Sequence, residues 1–157
     1  MNYIQSLRQY IGHQKLIHSG VRIFIENEFE EILVIHRKDN GKWGLPAGGL
    51  EENETIQACA IREAAEETGL YLSNCQLIGI SSDPTFETVT YPNGDVVQYV
   101  TMVFYANQWQ GELKQTTNET KAAIFVPIEQ LSKLPPNEAR SIANLLAFKK
   151  TGIVQLY

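Results

Sequence analysis

The chain has 157 residues, of which 43% are hydrophobic and 20% are charged, and its formal net charge is −5. A chain of this length buries roughly two thirds of its unfolded surface, so we expect one globular domain over residues 1–157 without a stabilising disulfide or structural metal. The excess of acids disfavours sequence-independent binding of nucleic acid, which depends on Lys and Arg neutralising phosphates. A small-molecule ligand is therefore the expected partner.

Features that would direct the chain out of the cytoplasm are not indicated. The first ten residues lack the uninterrupted apolar run of a secretory signal. The longest apolar stretch, residues 99–106, is far shorter than the roughly 20 residues that cross a bilayer. Cys59 and Cys75 form no CxxC pattern, which favours reduced thiols over a disulfide framework. The sequence predicts a cytoplasmic protein with no membrane segment.

The N-terminal part of the chain predicts a helix followed by strands. Residues 2–10 carry apolar side chains at helical spacing and are followed by Gly12. Residues 21–25 and 32–36 are rich in β-branched side chains and flank a polar turn. This pattern is typical of a hairpin of two strands.

The next segment predicts a glycine loop and then the longest helix. Trp43–Pro46 reads as extended chain, and Ala47–Gly49 reads as a loop. The spacing then predicts a helix over Glu54–Thr68, with Asn53 as its N-cap and Gly69 as its C-terminal stop.

The remainder of the chain predicts mostly strands. These cover residues 76–80, 96–106 and 122–126. A short helix is expected after Pro127, and a C-terminal helix is expected over residues 137–149. Strands outnumber helices without a regular alternation, which predicts an α+β sandwich in which helices flank a mixed sheet.

The long helix places carboxylates where an ordinary amphipathic helix has none. Glu63, Glu66 and Glu67 could form a solvated acidic turn, in which Arg62 and Glu66, on a neighbouring sector, make a surface ion pair. A buried, unpaired carboxylate costs several kcal/mol or takes up a proton, and acids beside a glycine loop suit a hard divalent cation such as Mg²⁺. At about 100° per residue, one sector of the helix combines three apolar side chains with two acids: Ile56, Cys59, Ala60, Glu63 and Glu67.

The residues around this helix resemble a known signature. Gly48 is followed after five residues by Glu54 and after seven more by the run Arg62–Leu70, which reads REAAEETGL. This spacing resembles the Nudix box of hydrolases that cleave nucleoside diphosphates linked to another moiety. The resemblance implies a Nudix-type α/β/α sandwich with a mixed sheet flanked by helices.

Three positions depart from the usual pattern. Ala64 stands where a bulky aliphatic residue is common, and this change affects packing only. Ala47 and Asn53 replace glycines that many members carry, and Asn tolerates a left-handed backbone. The carboxylates of the box are unaffected.

The resemblance implies a metal site that holds Mg²⁺ or Mn²⁺. Glu63 and Glu67 become the expected direct ligands, and Glu66 becomes a ligand or a bridge through water. The backbone carbonyl of Ala47 is expected to complete the site.

Other residues receive supporting or catalytic roles from the same resemblance. Arg62 is expected to orient a glutamate through an ion pair, while Gly48 and Glu54 support the junction of loop and helix. Glu119, in a later loop, is the first choice for the general base, and Glu66 is the second.

The substrate is less sharply defined. The run Pro46-Ala47-Gly48 resembles the loop of ADP-ribose pyrophosphatases, which favours ADP-ribose or a nucleotide sugar. A nucleoside triphosphate pyrophosphohydrolase of the MutT type and a non-catalytic nucleotide-sensing module stay open, as does a homodimer. Arg37 and Lys38 could either reach a substrate phosphate or form a solvated strand end.

Overall fold

A mixed six-stranded sheet is the centre of the structure, a computed structural model that describes residues 2–157. Its two longest strands pair in parallel, from Leu16 opposite Val97 to Ile25 opposite Ala106. The strand order is β11-β6-β8-β1-β4, with β7 also paired to β8. The strands of this main sheet are β1 (Leu16–Ile25), β4 (Ala47–Gly49), β6 (Gln76–Ser81), β7 (Thr88–Thr90), β8 (Val96–Ala106) and β11 (Gln155–Leu156).

Two smaller sheets complete the β-structure. The second sheet has the order β10-β2-β3, and the third is a single antiparallel pair of β5 and β9. Their strands are β2 (Ile32–Arg37), β3 (Trp43–Gly44), β5 (Tyr71–Leu72), β9 (Trp109–Gln110) and β10 (Thr120–Val126).

The predicted hairpin of residues 21–25 and 32–36 is wrong. β1 and β2 belong to different sheets and are joined by one isolated bridge between Glu26 and Ile32. β1 is a central strand, buried at every residue from 20 to 25, because β8 and β4 occupy its two hydrogen-bonding edges. The two segments are strands, as predicted, but their pairing is set by segments far away in sequence.

The helices lie on the two faces of the main sheet. The longest two are α2 and α4, and the predicted helix after Pro127 is a 3-10 helix. None of the helices within residues 2–157 has the length and apolar character needed to traverse a bilayer. The helices are α1 (Tyr3–Ile11), α2 (Ile56–Thr68), α3 (Pro84–Glu87), the 3-10 helix (Ile128–Lys133) and α4 (Pro136–Thr151).

The beginning of α2 corrects a second prediction. Its N-cap is Thr55, whose hydroxyl accepts a hydrogen bond of 3.1 Å from the Ala58 N–H, and Asn53 lies before the helix. Asn53 adopts a left-handed φ of 63°, as its substitution for glycine requires. The predicted stop at Gly69 is confirmed, with a left-handed φ of 79°.

The apolar side chains form two clusters, one on each face of the main sheet. Alternate residues of β1 supply both, because successive side chains of a strand point to opposite faces. Ile23 packs with Ala60 and Ala64 of α2, whereas Phe24 packs with Leu145 of α4. The predicted mixed sheet flanked by helices is confirmed, and the two Cys residues are both free thiols.

Candidate metal centre

Helix α2 turns two carboxylates towards the protein interior. Glu63 is only 7% exposed and Glu67 only 1% exposed, whereas the Glu66 side chain is about half exposed. The difference follows from helical periodicity, because residues four apart share a face. The two acids of the apolar sector are thus buried, as the sequence predicts.

Residues 47–49 form strand β4 instead of the predicted loop. β4 pairs antiparallel with β1, with Val21 opposite Gly48. A Cβ atom at Gly48 would lie 1.9 Å from the Glu63 carboxyl carbon. Any larger residue would therefore displace Glu63, so Gly48 provides the space in which this carboxylate lies.

Ala47 contacts the second buried carboxylate through its backbone. Its N–H donates a hydrogen bond of 2.9 Å to Oε2 of Glu67. Ala47 itself does not form the hydrogen bonds to β1. The residue before it does, because the Pro46 carbonyl accepts a hydrogen bond from the Ile23 N–H. The N–H and C=O of one strand residue point to the same side, so the Ala47 carbonyl is directed away from β1, on the side of Glu67.

A third carboxylate joins these two from the second sheet. One oxygen each from Glu63, Glu67 and Glu119 lie within 4.8 Å of one another. We call these three residues the acidic cluster. Glu119 precedes β10, and its carbonyl accepts a hydrogen bond of 2.8 Å from the N–H of Lys38, which follows β2. Pairing of β2 with β10 therefore brings Glu119 close to helix α2, which carries Glu63 and Glu67.

Burial makes this cluster electrostatically unfavourable without a cation. Desolvation is the main cause that raises the pKa of Glu63 to about 7 and that of Glu67 to about 8. Glu119 adds like-charge repulsion to both. Several carboxylate oxygens that converge at short range are the ligands that Mg²⁺ and Mn²⁺ take in proteins, so the donor set fits a hard divalent cation.

Arg62 is the centre of an ion-pair network beside the cluster. Its Nη1 lies 2.7 Å from Glu63 Oε1 and 3.2 Å from Glu66 Oε2. Its Nη2 and Nε lie 2.7 and 3.1 Å from the two oxygens of Glu54. Nη2 also donates to the Gly49 carbonyl at 3.0 Å. One guanidinium thus connects the start of the box, strand β4 and two box glutamates.

Glu54 links this network to the chain before α2. Besides Arg62, it accepts a hydrogen bond of 2.8 Å from the Glu51 N–H. The pKa of Glu54 is lowered, mainly by its hydrogen bonds from Arg62, so this carboxylate is ionised. Through these hydrogen bonds it fixes the segment between β4 and α2.

The sequence left the role of Arg37 undecided, and the structure places this residue at the acidic cluster. Its Nη1 lies 3.1 Å from Glu67 Oε1, and its side chain is 23% exposed. It is therefore not a solvated strand end. Lys38, in contrast, donates from Nζ to the Thr117 carbonyl, which holds the loop that carries Glu119.

Glu138 is a residue near the site that sequence reasoning missed. It lies in the first turn of α4, and its Oε2 accepts a hydrogen bond of 2.6 Å from the Leu45 N–H. It thereby fixes the segment that leads into β4. An acid in the first turn of a helix is ordinary because of the helix dipole, so the sequence contained no signal for this contact.

The structure brings the predicted site residues together unequally. Glu63, Glu67 and Glu119 converge, and Ala47 adjoins them. Glu66 lies outside the acidic cluster and pairs with Arg62. Its role as a ligand, directly or through water, stays a prediction.

Comparison with known proteins assigns this arrangement to a family. The family model for the NUDIX domain matches residues 16–147. An ADP-ribose pyrophosphatase of Methanocaldococcus jannaschii is 33% identical over 138 residues, which cover 85% of this chain and 76% of the relative. A NAD-capped RNA hydrolase of Vibrio cholerae is 28% identical over 82% of this chain, but the match spans only 49% of that protein.

A solved structure shows the same fold over nearly the whole chain. The crystal structure of a UDP-X diphosphatase superposes with a TM-score of 0.75 at 20% identity. The match covers 98% of this chain and 73% of that one. At this identity the likeness concerns the fold.

Proposed function

This chain belongs to the Nudix family, and from that premise we propose that it is a divalent-metal-dependent pyrophosphohydrolase. Its substrate is a nucleoside diphosphate linked to another moiety, and the bond that it cleaves is a phosphoanhydride. The observation that carries the proposal is the acidic cluster. Three carboxylates converge there, two of them almost fully buried, and within residues 2–157 the cations paired with them are Arg37 and Arg62.

The cofactor of the proposed reaction is Mg²⁺ or Mn²⁺. Glu63, Glu67 and Glu119 would hold it, together with the carbonyl of Ala47, and Glu66 would contribute through water. When bound, such an ion polarises phosphoryl oxygens and lowers the pKa of a coordinated water.

The arginines position the carboxylates. Arg62 holds Glu63 through one nitrogen and Glu54 through two, which restricts the side-chain rotation of Glu63. Arg37 contacts Glu67 and would pair with a substrate phosphate bound at the cluster. Both arginines therefore act on geometry and charge at the site.

Glu119 is our first choice for the general base and Glu66 the second. Within residues 2–157 no group donates a hydrogen bond to the Glu119 carboxylate, whereas Glu66 is engaged by Arg62. The Glu119 oxygen that would not contact the cation can thus accept the proton of the attacking water. The water oxygen forms a bond to phosphorus, the P–O bond of the anhydride breaks, and the departing phosphate keeps the electron pair.

Two of the relatives, the ADP-ribose pyrophosphatase and the NAD-capped RNA hydrolase, favour a substrate with a group beyond the diphosphate. Their names refer to ADP-ribose and to NAD-capped RNA, and the run Pro46-Ala47-Gly48 resembles the matching segment of ADP-ribose pyrophosphatases. We therefore place ADP-ribose or a nucleotide sugar ahead of a nucleoside triphosphate.

A metal-supplemented substrate screen tests the proposed function. ADP-ribose, nucleotide sugars and nucleoside triphosphates are each incubated with Mg²⁺ or Mn²⁺ in ¹⁸O-labelled water, and the products are identified by mass spectrometry. We expect cleavage of ADP-ribose to AMP and ribose 5-phosphate, with the label on a phosphate. Label on a sugar carbon only, or turnover that persists after complete chelation, would reject the mechanism.

A further inference from the structure

Glu138 is an acid near the metal centre to which the proposed reaction gives no role. It lies in the first turn of α4 and is half-buried. Burial raises its pKa, whereas the hydrogen bond from the Leu45 N–H and the charges of Arg22 and Arg37 oppose that rise. Arg37 also contacts Glu67 at 3.1 Å, so one guanidinium stabilises the charge of Glu138 and of a member of the acidic cluster.

Glu138 binds the chain where it crosses from the second sheet to the main sheet. β3 ends at Gly44 and β4 begins at Ala47, so residues 45 and 46 lie between the two sheets. The N–H of the fully buried Leu45 donates a hydrogen bond of 2.6 Å to Oε2 of Glu138. The carboxylate on α4 thus holds the backbone at the crossing.

Gly44 provides the space for this contact. A Cβ atom at Gly44 would lie 2.9 and 3.0 Å from the two oxygens of Glu138, so a side chain there would displace the carboxylate. Gly48 provides the space for Glu63 in the same way, with 1.9 Å to its carboxyl carbon. The segment from Gly44 to Gly48 therefore has one carboxylate fitted against each of its ends.

The same edge of this segment faces both Glu138 and the acidic cluster. In an extended chain the N–H groups of residues two apart point to the same side. The Leu45 N–H donates to Glu138, and the Ala47 N–H donates to Glu67 at 2.9 Å. The Ala47 carbonyl is directed to this edge as well, so Glu138 binds the segment two residues before the group that is expected to contact the cation.

Pro46 makes the connection between these two contacts stiff. Its ring fixes φ at about −65°, and the residue before a proline is restricted to extended conformations. The Pro46 carbonyl accepts a hydrogen bond of 2.9 Å from the Ile23 N–H. Without the bond to Glu138 the segment could rotate about this attachment, and a displacement of Leu45 would be passed on to Ala47.

We propose that Glu138 is a positioning residue of the metal centre, which fixes the Ala47 backbone at the acidic cluster by binding Leu45. The inference rests on the proposed function, in which the Ala47 carbonyl holds the cation together with that cluster. Glu138 contacts neither the cation nor the substrate and acts through the backbone.

Two conservative variants separate the reach of Glu138 from its charge. Glu138→Gln loses the charge but keeps an oxygen that can accept from the Leu45 N–H, whereas Glu138→Asp keeps the charge but is one methylene shorter. Electron paramagnetic resonance during Mn²⁺ titration of the metal-free full chain measures each dissociation constant. We expect Glu138→Gln to bind within about twofold of the wild-type chain and Glu138→Asp to bind about tenfold more weakly, as is typical when a group that orients a metal ligand is removed.

Amide hydrogen exchange measured by NMR reports on the backbone directly. Exchange at Leu45 and Ala47 should become faster in Glu138→Asp, because amides that lose their hydrogen bonds lose protection. It should stay slow in Glu138→Gln, which keeps the acceptor.

Lys149→Met is the matched control on the same helix. It breaks the ion pair between Lys149 and the buried Glu26, about 16 Å along α4 from Glu138. An unpaired buried carboxylate is destabilising, so this variant should have a lower Tm. Its affinity for Mn²⁺ should equal that of the wild-type chain.

Three results would overturn the inference. The first is wild-type affinity for Mn²⁺ in Glu138→Asp. The second is an equal loss of affinity in Glu138→Gln, which would assign the effect to charge. The third is an equal loss in Lys149→Met, which would assign it to a general loosening of α4. A wild-type chain that does not bind Mn²⁺ would contradict the proposed function itself, whereas binding that is insensitive to Glu138→Asp would contradict this inference alone.

Discussion

Two regions of this protein bury carboxylates against the same sheet, and they differ in how the charge is compensated. Glu87 is 2% exposed, and Arg22 contacts both of its oxygens at 3.1 Å. Ser81 and Thr101 donate further hydrogen bonds to it, at 2.6 and 2.8 Å. Every oxygen of this carboxylate has protein donors, and the pair joins α3 to the main sheet.

Within residues 2–157 the acidic cluster has no comparable set of donors. Glu67 is buried even more deeply, at 1% exposure, and receives one backbone N–H and one arginine nitrogen. Its neighbours in the cluster are two further acids. The comparison teaches that a buried acid contributes to structure where the chain supplies its partners, and that it fits a cation site where the chain places other acids beside it.

The largest expected effect is on turnover in Glu67→Gln. The substitution keeps the shape of the side chain and removes the charge that holds the cation. Metal stabilisation of the transition state is worth several kcal/mol, so kcat should fall about 10³-fold, since each 1.36 kcal/mol is tenfold. Kinetics at saturating Mg²⁺ measure this. Near-normal turnover in a folded variant would remove Glu67 from the site.

The matched substitution in the compensated region should act on stability. Glu87→Gln leaves the Arg22 guanidinium buried without its anion, and breaking a buried pair costs about 3–5 kcal/mol. Denaturant unfolding of the metal-free protein should show this loss in Glu87→Gln. The same measurement on Glu67→Gln should show none, because that change relieves repulsion. Equal losses in both variants would contradict the contrast between the two regions.

Arg62→Ala should lower turnover and metal affinity together. The expected loss is about 10–100-fold, as is typical when a group that orients a metal ligand is removed. Arg140→Ala is the control, because Arg140 forms a pair with Asp83 at 3.3 Å in which each side chain is 34% exposed, and such pairs contribute less than about 1 kcal/mol. Unchanged kinetics in Arg62→Ala would make its ion pairs purely structural.

The smallest effect concerns pH. In the metal-free fold the pKa values of Glu63 and Glu67 are about 7 and about 8, above the ordinary value of 4.5. Between pH 4.5 and these raised pKa values, the folded state binds more protons than the unfolded state. The stability of the fold therefore falls as pH rises through this range, and it levels off above the folded-state pKa values of both residues. Mg²⁺ displaces these protons. The rise in Tm on adding Mg²⁺ should therefore be larger at about pH 8.5 than at about pH 6.

Glu67→Gln serves as the control for this pH dependence. Without the Glu67 carboxylate, most of the pH-dependent part of the Mg²⁺ effect should disappear. A Tm gain that does not change with pH in the wild-type chain would contradict the proton displacement.

The part of the site that lies within the Nudix box could be predicted from the sequence, because its residues are close together along the chain. Glu63 and Glu67 lie four residues apart on one helix, and helical periodicity alone predicts that they share the buried face. Gly48 and Glu54 precede that helix at fixed spacing. The same local pattern predicts the helix stop at Gly69, where a left-handed glycine ends α2.

The rest of the site depends on pairing between distant segments. Arg37 reaches Glu67, and Glu119 joins the cluster, because β2 pairs with the distant strand β10, from Arg37 opposite Thr120 to Ile32 opposite Val126. β1 likewise pairs with β8 and not with β2, which is why the predicted hairpin is wrong. Local propensity does not encode such partners, and the contact between Glu138 and Leu45 has the same long-range origin.

Binding of Mn²⁺ to the metal-free protein tests the central claim most directly. Electron paramagnetic resonance measures free Mn²⁺ during titration of the wild-type chain, Glu67→Gln, Glu119→Gln and the exposed control Glu129→Gln. The account predicts binding by the wild-type chain and the control, with affinity at least about tenfold weaker in the two cluster variants. Equal Mn²⁺ affinity in all four proteins would show that the acidic cluster does not hold the cation.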